Sequence, residues 1–156
     1  MNESDRLAKE LELALHGGAW HGPSWREIVN GVGPTVATRR PLSGVHSIAE
    51  LVAHAATWNE VVVARLGGGN PAVTPEENFP RIDRLTRTQW RDLVARFLDG
   101  GDALVRQVRE FPPTKLHERR PRPADGTWQD LILGQLQHLL YHGGQVALLK
   151  KGRPAR

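Results

Sequence analysis

The sequence predicts an all-α protein, a four-helix bundle with a short extra helix and long connecting loops. Three observations carry this. Four long segments place apolar residues at helical spacing, most of them open on a Ser or Thr followed three residues later by an acid or amide, and no segment sustains a strand period.

The first helix is expected from about Asp5 to His16, with Leu7, Leu11, Ala14 and Leu15 inward and Gly17 and Gly18 ending it. A short helix follows Ser24, whose capping partner is Glu27. The second long helix should span Ser47 to Leu66, capped by Ser47 with Glu50 and striped by Ile48, Leu51, Ala55, Trp58 and Val62. The third runs from about Thr88 to Glu110 behind Thr86 and Gln89, and Gly100–Gly101 invites a kink or break within it. The fourth extends from Thr127, paired with Asp130, to about Lys151. Three stretches read as loops by composition: "VGPTVATRRPLSGVH", "GGGNPAVTPEENFPRID" and "FPPTKLHERRPRPADG".

The 156 residues suit one domain, 1–156, with a basic tail from about 152. No apolar run approaches the ~18 residues of a membrane span. Charges near the N-terminus stand where a signal peptide would need an apolar run, so a cytoplasmic location is expected. With no cysteine, any metal must be held by His, Asp or Glu. The net charge of +4 raises nucleic acid as a partner, but the basic clusters at 115–123 and 150–156 lack aromatic interleaving and read better as a solvated loop and tail.

The histidines are more informative. His138 and His142 stand four apart on an apolar helix, a spacing that puts their Cβ atoms about 5–6 Å apart on one face. His54 lies at the edge of the second long helix's stripe and supplies a candidate third group. A single histidine on an apolar face is ordinarily a hydrogen-bonded core residue. Three without an ion would leave polar nitrogens buried, at about 1–3 kcal/mol for each one unpaired. The joint pattern points to a divalent transition-metal site between facing helices, with at least one coordination position open. An all-histidine set suits zinc or nickel, and also copper or iron(II).

"WHGPSW" (20–25), "HSIAELVAHAATWNEVVVARLGG" (46–68) and "QHLLYHGGQVALLKK" (137–151) resemble the DinB/YfiT-like superfamily, helical bundles with a three-histidine site. The resemblance covers about Leu7 to Lys151 and rests on His-x3-Trp in the second long helix and His-x3-His-x2-Gln in the last. It implies metal ligands at His54, His138 and His142, a homodimer, and chemistry on small molecules by transferases or isomerases that use low-molecular-weight thiols such as bacillithiol, mycothiol or glutathione. Relatives often carry Asp after the first motif histidine; here Leu139 stands there, and Glu50 is the nearest substitute, although its capping role is the simpler reading. His21, His46 and Trp58, with Trp20 and Trp25, are candidates to line a pocket mouth, against the alternative that they are core aromatics and loop groups. Gln145 is a candidate donor to a bound ligand.

Three functions remain open on sequence: a metal-dependent enzyme, either a thiol-dependent S-transferase or a hydrolase; a non-enzymatic bundle stabilised by metal that binds a ligand or partner; and, least supported, nucleic-acid binding.

Overall fold

A computed structural model describes residues 1–121 and 126–152. Seven α-helices follow in order: α1 Glu3–His16, α2 Trp25–Val29, α3 Pro34–Ala37, α4 Ile48–Leu66, α5 Pro75–Asn78, α6 Arg87–Glu110 and α7 Trp128–Lys151. A 3-10 turn at Pro113–Lys115 and an isolated antiparallel bridge between Arg119 and Thr127 lie in the last connection. Among the described residues there is no strand, and no helix is long and apolar enough to cross a membrane.

The four long helices form the bundle. α1 packs on α6, α6 on α4, α4 on α7, and α7 closes the ring on α1. Every predicted capping box is made: Ser24 with Glu27, Ser47 with Glu50, Thr86 with Gln89 and Thr127 with Asp130. Each satisfies two backbone N–H groups that the helix start would otherwise orphan. Asn2 and Asp5 form a further box, so α1 begins two residues before the expected Asp5.

The loops correct the sequence reading in two places. The stretch after Gly33 contains α3, started by Pro34 with its fixed φ, and the stretch after Gly67 contains α5, capped by Thr74 with Glu77. α6 is continuous through Gly100 and Gly101, so no break occurs. A Cβ on Gly101 would stand 2.9 Å from Leu15 Cδ1, which shows why the position is glycine: α1 and α6 approach too closely there for a side chain.

The core runs the length of the ring, with Leu11, Leu15, Trp25, Phe97, Leu104 and Leu139 buried in it. Trp25 packs on Phe97 with ring centroids 4.6 Å apart, and its indole N–H donates to the Leu139 carbonyl at 2.9 Å. Between α4 and α7 the Gln135 amide donates to Asn59 Oδ1 at 2.7 Å, a buried polar clamp that fixes the register of the two helices carrying the histidines. The basic residues at 122–123 and 153–156, expected to be loop and tail, lie outside the described residues.

Candidate metal centre

α4 and α7 bring His54, His138 and His142 together, with one nitrogen from each ring lying within 4.8 Å of the others. His54 and His142 are buried and His138 partly so. The i, i+4 spacing on α7 turns the His138 and His142 rings to the same side, 4.5 Å between centroids. His54 meets both across the helix interface, at 4.8 Å from each.

The outer nitrogens decide what the inner ones can do. His54 Nδ1 lies 2.7 Å from the Asn78 carbonyl oxygen, and His142 Nδ1 lies 2.6 Å from Gln145 Oε1. Both partners accept hydrogen bonds, so each Nδ1 carries the proton and each Nε2 presents a lone pair. His54 Nε2 lies 2.7 Å from His138 Nε2. His138 Nδ1 is buried without a partner among the described residues. For His54 and His142 this is the arrangement in which a metal-binding imidazole is oriented by an oxygen acceptor on its far nitrogen.

Electrostatics also keeps the rings neutral. Burial, then the charges of His142 and His54, pushes the His138 imidazole down to about 3. Burial lowers His54, with the charges of His142 and His46 adding and the Asn78 hydrogen bond opposing. His142 is lowered by burial and by the charge of His46, against the hydrogen bond it donates to Gln145. Neutral imidazole is the form a metal requires. Two nitrogens on a tetrahedral ion at about 2.0–2.1 Å lie about 3.3 Å apart, so the His54–His138 pair would open by about 0.6 Å. The donor set therefore fits a transition ion once this pair opens and the wider separations, up to 4.8 Å, draw in toward the same spacing.

The remaining expected residues divide. Gln145 contacts the cluster directly through His142. Trp58 stands edge-on to His54 and His138, at 6.4 and 6.2 Å, and donates to Asn78 Oδ1 at 2.8 Å. His46 reaches the cluster through Phe79: it stacks on that ring at 4.0 Å, and Phe79 stacks on His54 at 3.9 Å. Glu50 does not substitute for the carboxylate missing at Leu139. It is occupied by the Ser47 cap, the Ile82 N–H and the Arg40 guanidinium. Burial alone would raise its carboxyl, but those hydrogen bonds and Arg40 hold it below the usual range. His21 lines a separate groove of about 300 Å³ with Trp25 and Gly143. Trp20 is fully exposed and Trp25 is core, so neither lines a mouth to the cluster.

Sequence reasoning missed Asn78 and Phe79, which hold His54 by a carbonyl and a ring face. The signal was present in "TPEEN", a Thr cap with Pro at the first helical position and Glu at the third.

A helical bundle whose facing helices converge three imidazoles is compatible with a metal-binding helical protein. The comparison with known families agrees: the sequence model of the DinB superfamily matches residues 20–146, and the chain belongs to that superfamily. No curated protein and no solved structure matches the chain.

Proposed function

We propose that this protein is a metal-dependent enzyme in which His54, His138 and His142 hold a divalent transition ion, zinc or nickel foremost, and that it transfers a group to or from a low-molecular-weight thiol. The observation that carries the reading is the pair of oxygen acceptors, Asn78 O and Gln145 Oε1, on the far nitrogens of His54 and His142. They leave each Nε2 with its lone pair, in a cluster whose ligand atoms lie within 4.8 Å of one another. Once bound, an ion with an open position converts a coordinated thiol to its thiolate, or lowers the pKa of bound water to about 7.

A choice between thiol and water follows from the neighbours. Hydrolytic use of a metal-bound water generally draws on a positioned base. Among the described residues no carboxylate joins the three histidines, and Glu50, the nearest buried acid on α4, is paired with Arg40. A thiol held as its thiolate would have passed its proton to solvent and would need no such base in the transfer. The chain's own residues then orient the ligands through Gln145 and Asn78, and keep the imidazoles unprotonated by burial.

The reading includes a homodimer. The exposed face of α7 carries Gly134, Gln137, Tyr141, Gly144 and Leu148 at alternating three- and four-residue steps, an uncharged stretch between Asp130 at one end and Lys151 at the other. Such a seam suits a second α7. Gly144→Glu, a change with open space around it, should shift the species seen by light scattering to monomer.

Metal analysis of protein purified without a nickel column tests the central claim. About one ion per chain is expected, falling to background in His54→Ala and His138→Ala. Cobalt-loaded protein should gain a sulfur-to-metal charge-transfer band when bacillithiol, mycothiol or glutathione is added. Wild-type protein devoid of metal after equilibration with zinc and with nickel would remove the proposal.

A further inference from the structure

A cavity of about 280 Å³ lies on the outer side of Gln145 and His46, the two residues that connect it to the histidine cluster. Leu42, Val45, Leu51, Leu148 and Leu149 form its apolar walls, and His46 and Gln145 are its polar side chains. No Asp, Glu, Lys or Arg lines it. Both polar groups lead back to the candidate metal centre. Gln145 Oε1 holds His142 Nδ1 at 2.6 Å, and His46 reaches His54 through the shared Phe79 ring. A molecule in this cavity would meet aliphatic carbon over most of its surface and polar side-chain atoms only at His46 and Gln145.

Size and charge limit the occupant. The volume equals about nine liquid water molecules at roughly 30 Å³ each, enough for a short alkyl chain or one aromatic ring. A charged body would lose its hydration with no counter-ion on the wall. Leu42 is 63% exposed, so apolar surface is already presented to an incoming group.

We infer that this cavity receives the uncharged apolar body of the substrate, with its polar reacting end directed past Gln145 and His46 to the histidine cluster. The inference rests on the metal-dependent reading and adds the class of the molecule that exchanges a group with the thiol: small and neutral, with an aliphatic or aromatic body.

A series of straight-chain hydroxamates, from acetohydroxamate to octanohydroxamate, tests it by calorimetry on zinc-loaded protein. The head group ligates the ion and the tail samples the cavity. Affinity should rise about three- to fourfold per methylene, until the tail outgrows the space. Leu42→Asp and Val45→Phe should keep the metal content and the acetohydroxamate affinity but lose the dependence on tail length. Equal affinities along the series in the wild type, or a gradient that survives both substitutions, would overturn the cavity assignment while leaving the metal reading intact. If no hydroxamate binds the zinc-loaded protein, the open coordination position that the thiol chemistry needs is absent, and that part of the metal reading fails. The matching n-alkanol series then decides the cavity: amide shifts at Val45 and Leu51 that grow with tail length keep it, and their absence overturns it.

Discussion

At the scale of single residues, the site depends on which atoms face outward. Gln145 has no metal-binding role of its own, yet its Oε1 sets the tautomer of His142. Gln145→Leu should weaken zinc affinity about 10–100-fold with the three histidines intact, a typical effect of losing an orienting partner; competition with a chromophoric chelator measures it. The pH dependence of metal-free protein reports on the same residues. His138 titrates at about 3 in the fold and near 6.5 in an unfolded chain. Between these values the unfolded chain binds the proton and the folded chain does not, so stability is fully present above about pH 6.5 and is lost as pH falls toward 3. His54 and His142 shift in the same direction. The melting temperature should therefore drop between pH 6.5 and 5, before the carboxylates protonate, and His138→Leu should flatten that drop. An unchanged slope in the variant would count against the buried neutral imidazole.

At the scale of elements, α6 offers a paired test of packing against propensity. Gly100 and Gly101 are adjacent in one helix, and replacing either with Ala gains about 0.5–1 kcal/mol of helix propensity. A Cβ at Gly100 would meet Asn59 Cβ at an ordinary 3.6 Å, whereas one at Gly101 would press on Leu15, which is fully buried and has nowhere to move. Overpacking of that kind costs about 1–3 kcal/mol. Gly100→Ala should raise the urea midpoint and Gly101→Ala should lower it. α5 makes a different point about legibility. Its cap, Pro and acid follow the rules that located the longer helices, but four residues carry no apolar stripe, so composition alone read them as loop. That one turn delivers both Asn78 and, just past its end, Phe79 to His54.

At the scale of the whole molecule, the cluster bridges α4 and α7, which otherwise meet through apolar packing and the Asn59–Gln135 clamp. An ion bound only by the folded state stabilises it by mass action, about 2.7 kcal/mol when free metal is 100 times its dissociation constant. For a chain of this size that corresponds to about 5–10 °C in Tm. Chelation should lower the melting temperature by that amount, zinc should restore it, and His54→Ala should make the protein indifferent to both. A melting curve that does not respond to metal in the wild type would remove the bridging role.

Periodicity and caps by themselves determined the four long helices, their order and nearly all their starts, because both signals are local and each cap satisfies its own backbone. The His138–His142 pair was legible for the same reason: four residues along a helix return to the same face. His54 was only a candidate until α4 was set against α7, since no local rule states which histidine a distant helix will meet. Tertiary packing alone decided that Glu50 would be consumed by Arg40, that His21 would face a different groove from His46, and that Asn78 would reach His54. Those outcomes depend on residues far apart in sequence competing for the same space and the same hydrogen bonds, and that competition exists only once the helices have packed.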